Sequence, residues 1–131
     1  MKKQNLLVFP FIAMGLFLML VGGCQKDDDE GLPLLSTYEV TKIAQITAQS
    51  GGNITSDEGN LITARGVCWS TSDNPTVADN KTSDGSGAGS FSSEITGLTA
   101  GTTYYVRAYA SNSKGTGYGS TMVFQTIGNT F

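Results

Sequence analysis

Between Thr37 and Thr126 the chain alternates apolar and polar residues with a period of two, and this feature constrains its fold more than any other. Successive side chains of a β-strand point to opposite faces, so such alternation is typical of strands with one buried face. No segment shows the period of an amphipathic helix. The residues expected to face a core are Ile46, Ala48, Ser50, Gly52 and Ile54; Phe91, Ser93 and Ile95; Tyr104, Val106, Ala108 and Ala110; and Met122 and Phe124.

Turn-forming pairs such as Asn74-Pro75 and Asp84-Gly85 separate these runs. Their spacing predicts an all-β, antiparallel, immunoglobulin-like sandwich of about seven strands. We expect strands at 37–42, 44–55, 61–70, 81–83, 91–96, 103–111 and 119–126, with the turn Asn112–Gly115 closing the last hairpin. Residues 83–90 are nearly all Gly, Ser, Ala and Asp. We expect them to pack poorly and to be the most mobile part of the domain.

Residues 1–23 carry the pattern of a secretion signal. Lys2 and Lys3 precede an uncharged, mostly apolar run from Leu6 to Val21, as signal peptides do. A membrane-spanning helix is the alternative, but it needs about 20 apolar residues. This run is shorter and contains Pro10 and Gly15, so we expect it to be cleaved.

The apolar run ends in small residues beside a cysteine. The sequence Leu20-Val21-Gly22-Gly23-Cys24 resembles the lipobox of bacterial lipoproteins. In that family the cysteine thiol is alkylated with diacylglycerol, the preceding peptide is removed, and the new amine is acylated. The resemblance implies a covalent lipid on Cys24, and we expect no other cofactor. An ordinary signal peptide with an incidental cysteine is the alternative.

An acidic segment follows, Gln25-Lys26-Asp27-Asp28-Asp29-Glu30. A run of like charges is by itself only a solvated, extended tether. In this position, directly after a lipid-carrying cysteine, the segment also resembles the lipoprotein export signal of Bacteroidetes. Lipoproteins with that signal reach the outer leaflet of the outer membrane. The resemblance therefore implies an outer-membrane lipoprotein exposed at the cell surface.

Without residues 1–23, the chain is long enough for one domain and not two. We expect a lipidated tether at 24–36, a β domain at 37–127 and a short tail at 128–131. The formal net charge of −3 becomes more negative once Lys2 and Lys3 are lost, which disfavours nucleic acid and anionic lipid as partners. With Cys24 lipidated, Cys68 has no cysteine partner, so a disulfide framework is excluded.

The domain also resembles a known family. The pattern Leu98-x-Ala100-x-Thr102-x-Tyr104-x-Val106-x-Ala108, with Asn112, Gly115 and Gly117, resembles the corner and final hairpin of fibronectin type III domains. The segments 66–71, 74–76, 97–99 and 103–110 resemble fibronectin-like repeats of Bacteroidetes surface lipoproteins. The resemblance spans 37–126 and implies a binding or spacer module. It implies that Tyr104 is a structural corner tyrosine, bonded to the upstream backbone, although Ala100 replaces the usual proline.

The third strand has two faces of unequal apolar area: Arg65, Val67 and Trp69 on one, and Ala64, Gly66 and Cys68 on the other. Burying Val67 and Trp69 removes far more apolar surface from water. We therefore expect Trp69 to be a structural core residue rather than a ligand-stacking one, with Arg65 snorkelling at the edge.

On the strand at 103–111, Tyr105, Arg107 and Tyr109 alternate on the side opposite the expected core. Two tyrosines and one cation beside Gly66 predict a flat, amphipathic platform for a glycan or a host or envelope protein. The alternative is that the rings only cover the bare backbone of Gly66.

Patterns that would carry catalysis or bind a metal are weak. An EF-hand loop starting at Asn80 places Gly85 correctly but has Phe91 where glutamate is required; a different calcium site in this loop is the alternative. Histidine is absent, and Cys68 therefore lacks the usual base. We expect no catalytic and no metal-binding residues. The chain is predicted to be a non-catalytic adhesion or binding module. The alternatives are a spacer or accessory subunit of an outer-membrane glycan-uptake complex, or a truncated multi-repeat protein.

Overall fold

A computed structural model describes residues 31–128. These residues form eight strands: β1 (Leu34–Thr37), β2 (Ala48–Ser56), β3 (Ala64–Ser70), β4 (Asn80–Lys81), β5 (Gly89–Ile95), β6 (Thr103–Asn112), β7 (Gly115–Tyr118) and β8 (Met122–Gln125). All strand pairs are antiparallel, which confirms the predicted all-β class. Within residues 31–128 no helix is long and apolar enough to cross a membrane.

The strands form two sheets. One has the order β1-β2-β5; the other has the order β4-β3-β6-β7, with β8 also paired to β6. Strand β6 is central, because β3 follows it along one edge while β7 and β8 share the other. The fold is an immunoglobulin-like sandwich, as predicted.

The core lies between the sheets and is filled by side chains from the strand faces that were predicted to be buried. Its buried members include Ala48, Ile54, Val67, Trp69, Phe91, Ile95, Tyr104, Val106, Ala108, Ala110 and Phe124. Trp69 is 7% exposed and Val67 is fully buried, which confirms the predicted face of β3. Ile46 is the exception, with 57% of its surface exposed, because it lies in the turn before β2.

Tyr104 occupies the predicted corner. Its ring is buried and stacks on Phe124, with ring centroids 5.7 Å apart. The backbone N–H of Thr99 donates a hydrogen bond to the Tyr104 hydroxyl at 2.8 Å. The role implied by the family resemblance is therefore confirmed, even though Ala100 replaces the usual proline.

The first strand begins earlier than predicted. Strand β1 starts at Leu34, within the expected tether, and ends at Thr37. The segment predicted as a strand from Thr37 to Lys42 is not a continuous strand after Thr37. It still contacts β2, because the N–H of Tyr38 donates to the carbonyl of Gly51 at 3.0 Å and Thr41 pairs with Gln49. Lys42 then adopts a left-handed backbone conformation with φ of 51°.

The chain after the predicted hairpin turn, expected to form one strand at 119–126, forms two strands. Strand β7 already begins at Gly115, and the chain is interrupted between Tyr118 and Met122 before β8. At this interruption the side chain of Thr37 reaches across, and its hydroxyl accepts a hydrogen bond from the N–H of Ala108 at 2.9 Å. A side chain on Gly119 would collide with Thr37, so this position requires glycine.

The segment at 83–90 is more firmly attached than predicted. Arg65 Nε donates to the carbonyl of Asp84 at 3.0 Å, and Nη1 donates to Gly87 at 3.0 Å and Ala88 at 3.3 Å. The same guanidinium lies 5.2 Å from the ring centre of Phe91. Most residues of the segment are exposed, and a Cβ on Gly85, Gly87 or Gly89 would meet open space, as expected of a segment that packs poorly. A glycine-rich chain nevertheless exposes many carbonyl groups that one arginine can bind.

A cluster of hydrogen-bonded polar side chains lies between the segment after β4 and strand β5. Thr82 donates to the carboxylate of Asp84 at 2.9 Å, and the hydroxyl of Ser93 donates to the same carboxylate. The N–H of Val67 donates to the Thr82 hydroxyl at 3.0 Å. Because these groups satisfy one another, Ser93 can be 1% exposed without an unpaired polar atom.

Candidate ligand-binding face

The candidate site lies on the outer face, which we define as the face of the five-stranded sheet turned away from the core. Tyr105, Arg107 and Tyr109 of β6 alternate on this face. Their neighbours on β3 are Ser70, Cys68 and Gly66, respectively. Opposed residues of antiparallel strands share a face, so Tyr105, Arg107 and Tyr109 lie on the same side of the sheet as Gly66 and Cys68, as predicted, and as Ser70.

Tyr109 is not exposed, which contradicts the predicted platform. It is 2% exposed, and its hydroxyl donates to the carbonyl of Thr82 at 2.5 Å. The chain after β4 folds against β3, since the N–H groups of Thr82 and Asp84 donate to the carbonyls of Val67 and Arg65. This segment covers the ring. Burial raises the pKa of Tyr109, with the nearby Asp84 carboxylate adding to the effect.

Contacts with Thr82, rather than cover by the tyrosine rings, explain why residue 66 is glycine. A Cβ on Gly66 would collide with the backbone carbonyl and hydroxyl of Thr82. The residue is directly opposite Tyr109. Thr82 therefore requires a residue without a side chain at position 66.

Cys68 lies on the outer face but is fully buried. Its sulfur is 3.5 Å from the carbonyl oxygen of Pro75 and 3.6 Å from that of Arg107. Burial raises the pKa of the Cys68 thiol to about 11, against a lowering contribution from Arg107. The thiol is therefore neutral at physiological pH and poorly suited to act as a nucleophile.

Arg107 fastens the loop at 71–79 onto the outer face. Its Nε donates to the carbonyl of Pro75 at 2.6 Å. Its guanidinium carbon lies 3.9 Å above the ring centre of Tyr118, a separation typical of a cation–π contact. The Tyr118 hydroxyl in turn accepts a hydrogen bond from the N–H of Val77 at 3.1 Å. The guanidinium plane is thus held in one orientation.

Tyr105 and Val123 are accessible members of this face. Tyr105 is partly buried, and Val123, directly opposite on β8, is 60% exposed. Within residues 31–128 the hydrogen bonds of the Arg107 guanidinium use only Nε. The partly exposed side chains of Tyr105 and Arg107 and the exposed Val123 therefore share the outer face.

Of the three predicted platform residues, Tyr105 and Arg107 are partly exposed on the outer face, whereas Tyr109 is buried. Tyr118 and Val123 were missed by sequence reasoning. Their position could be found only from the register of β7 and β8 against β6, which pairs Tyr118 with Tyr109 and Val123 with Tyr105. The predicted turn at 112–115 indicated where the pairing of β6 with β7 begins, but it gave no indication of the interruption at 119–121.

The acidic residues between 73 and 84 serve as turn caps. Asp73 accepts a hydrogen bond from the N–H of Asn74, and Asp79 accepts one from the N–H of Thr76. Asp84 is engaged by Thr82 and Ser93, as described above. Across the described range, no three of the Asp, Glu, Cys and His side chains approach closely enough to hold a metal ion.

The predicted lipidation residue, Cys24, and the predicted export residues lie outside the described residues. These residues are Gln25, Lys26, Asp27, Asp28 and Asp29. Their roles remain predictions from the sequence.

No protein-family model matches the chain, and no curated protein matches it. Among solved structures, the sensor domain of the anti-sigma factor RsgI4 from Pseudobacteroides cellulosolvens is 18% identical. It has a TM-score of 0.55, with 74% of this chain and 96% of that chain covered. The sixth fibronectin type III domain of human fibronectin type III domain containing protein 3 is 22% identical, with a TM-score of 0.50 over 76% and 85% of the two chains. The third such domain of human KIAA0343 protein is 19% identical, with a TM-score of 0.51 over 78% and 89%. At these identities the likeness concerns the fold, and the chain therefore has a fibronectin type III-like fold.

Proposed function

We propose that this chain is a lipid-anchored, non-catalytic binding module displayed at the bacterial cell surface. The observation that carries the proposal is the lipobox-like segment ending in Cys24, followed within a few residues by a sandwich that begins at Leu34. Stable membrane attachment requires two or more lipid chains, and the modification implied by the lipobox supplies them. The acidic residues after Cys24 support export to the cell surface.

The chemistry of the domain supports binding rather than catalysis. The only thiol of the described residues, on Cys68, is buried and carries a raised pKa. The chain has no histidine that could act as its base. The accessible groups of the outer face, Tyr105 and Arg107, are instead of the types that dominate recognition surfaces. A fibronectin type III-like fold does not itself specify a ligand.

Metabolic labelling with a fatty acid tests the anchor. The wild-type protein should incorporate the label and fractionate with outer membranes, whereas Cys24→Ala should do neither. Cys68→Ala is the matched control, because it removes the other thiol and should leave labelling unchanged. A Cys24→Ala protein that still carries the fatty acid would contradict the lipoprotein assignment.

A second candidate function is an accessory subunit that docks onto another envelope protein. Two exposed isoleucines favour it: Ile46 is 57% and Ile127 is 51% exposed. They lie in adjoining segments, because the N–H of Ile127 donates to the carbonyl of Ala44. If docking uses them, Ile46→Ser with Ile127→Ser should reduce the size of the native complex extracted in mild detergent. An unchanged size would argue against this candidate.

A further inference from the structure

We infer that Tyr105, Arg107 and Val123 on the outer face bind a sugar that carries a carboxylate, such as a uronic acid unit. This inference rests on the proposed binding function and names its ligand class. The guanidinium of Arg107 would hold the carboxylate, while the Tyr105 ring and Val123 contact the apolar side of the sugar ring.

The two arginines of the domain differ in how their donors are used. Arg65 uses both Nε and Nη1 to hold the loop at 83–90. Arg107 uses Nε alone, on Pro75, within the described part of the chain. The two Nη groups of the partly exposed Arg107 are not engaged by the Pro75 carbonyl, and paired N–H groups of this kind match a carboxylate in a bidentate geometry.

Arg107 is also fixed before any ligand arrives. Its stacking on Tyr118 and its bond to Pro75 restrict the side chain from two sides. Binding a ligand then costs little additional side-chain entropy. A surface arginine without such restraints would have to be ordered by the ligand itself.

The tyrosine hydroxyls also differ in whether a backbone group is hydrogen-bonded to them. The hydroxyls of Tyr104, Tyr109 and Tyr118 are all engaged by backbone groups. Among residues 31–128, no comparable hydrogen bond holds the hydroxyl of Tyr105, whose ring is partly exposed. A ring beside a guanidinium offers an apolar surface and a polar group at neighbouring points.

Size and charge favour a sugar acid over an acidic protein. The accessible apolar part of the face consists of two partly exposed rings, those of Tyr105 and Tyr118, and of Val123, a small area beside the roughly 800 Å² that each partner buries in a stable protein interface. Acidic side chains also outnumber basic ones in residues 31–128. A ligand with one carboxylate at Arg107 avoids the repulsion that a highly acidic partner would meet.

Calorimetric titration of the full-length lipoprotein in detergent tests the inference. The probes are a trimer of two galactose units and one galacturonic acid unit, its methyl ester, and a peptide containing a single glutamate. Saturable binding is expected for the acid trimer, with at least tenfold weaker binding of the methyl ester and of the peptide. Equal binding of acid and ester, or no saturable binding of the acid, overturns the inference. Tighter binding of the peptide also overturns it and assigns the face to a protein partner.

Variants locate the site. Arg107→Lys keeps the charge but loses the bidentate edge, and Tyr105→Ala removes the ring, so each should weaken binding of the acid trimer at least tenfold. Arg65→Lys is the matched control: it should lower the melting temperature without changing the affinity. Affinity that survives both Arg107→Lys and Tyr105→Ala contradicts the inference. Fatty-acid labelling at Cys24 is measured separately, so failure of the anchor and failure of this site are distinguishable.

Discussion

The hydroxyl of Thr37 accepts a hydrogen bond from the backbone N–H of Ala108 at 2.9 Å, and this contact joins the first strand to the central strand of the opposite sheet. Ala108 lies between the part of β6 that pairs with β7 and the part that pairs with β8. Its N–H would otherwise be buried without a partner, because the strand pairing on this side is interrupted between Tyr118 and Met122. Thr37, which is 6% exposed, thus supplies the missing acceptor.

Thr37→Val should destabilise the domain by about 1–3 kcal/mol, the cost of leaving a buried donor unpaired. Valine nearly matches threonine in shape, so little of the loss would come from packing. Thr37→Ser keeps the hydroxyl and should retain most of the stability, and Ser36→Val on the exposed side of β1 is a second control. Urea unfolding measures all three. Equal stability of the Thr37→Val and wild-type proteins would show that the Thr37 contact contributes nothing.

The faces of the strands could be predicted because they depend on local alternation. Phe91 and Ile95, for example, are buried with the predicted parity, since burying their large apolar side chains decides which face turns inward. The interruption of the last strand could not be predicted in this way. It depends on Thr37, which is distant in sequence and lies in a segment whose strand pattern is short.

The shared face of the candidate site could be predicted from strand alternation, but its exposure could not. Alternation placed Tyr105, Arg107 and Tyr109 on one face, which is correct, but alternation cannot report what covers that face. The segment after β4 carries few apolar residues, so nothing in it indicated that Thr82 would pack against Gly66 and bind the hydroxyl of Tyr109.

Tyr104→Phe should cost about 0.5–1.5 kcal/mol, because the ring is kept and only the hydrogen bond from Thr99 is lost. Tyr38→Phe is a suitable control, since Tyr38 is 41% exposed. Chemical unfolding of both variants gives the comparison. If Tyr38→Phe proves as costly as Tyr104→Phe, the corner hydrogen bond has no special role in stability.

Truncation of the two outer-face tyrosines should give very different results. Tyr109→Ala leaves a cavity and an unpaired Thr82 carbonyl, so we expect a loss of about 3–5 kcal/mol, similar to that for Trp69→Ala. Tyr105→Ala should cost clearly less, because its ring is only partly buried and its hydroxyl holds no other part of the domain. Thermal melts that show Tyr105→Ala to be the costlier change would mean that the burial of the two residues is reversed.

Cys68 should react with a thiol reagent at neutral pH only as fast as the domain unfolds. The thiol is buried and its pKa is raised to about 11, and only the thiolate is a strong nucleophile. The Cys24→Ala protein provides a chain with one thiol for this measurement. The labelling rate should increase in step with added urea. Rapid labelling in buffer alone would contradict the burial of Cys68.

The same pKa shift makes stability depend on alkaline pH. Between the ordinary thiol pKa of 9.0 and about 11, the unfolded chain releases the proton of Cys68 while the folded domain keeps it. Deprotonation therefore favours unfolding, and stability falls as pH rises through this range. Cys68→Ala removes the contribution but leaves the tyrosines in place. Its unfolding free energy should fall less between pH 9 and pH 11 than that of the wild type, and equal slopes would contradict the shift.

Changing Lys26, Asp27, Asp28 and Asp29 to alanine should separate lipid attachment from surface display. The lipobox is untouched, so fatty-acid labelling should persist, whereas export to the outer leaflet should fail if these residues act as a signal. Protease treatment of intact cells measures the difference, because a protein retained on the periplasmic side is protected. Glu39→Gln with Glu94→Gln removes charge from exposed positions of the domain and should leave digestion unchanged. If the tether variant is digested as fast as the wild type, the acidic residues act only as a spacer, and display must depend on another part of the chain.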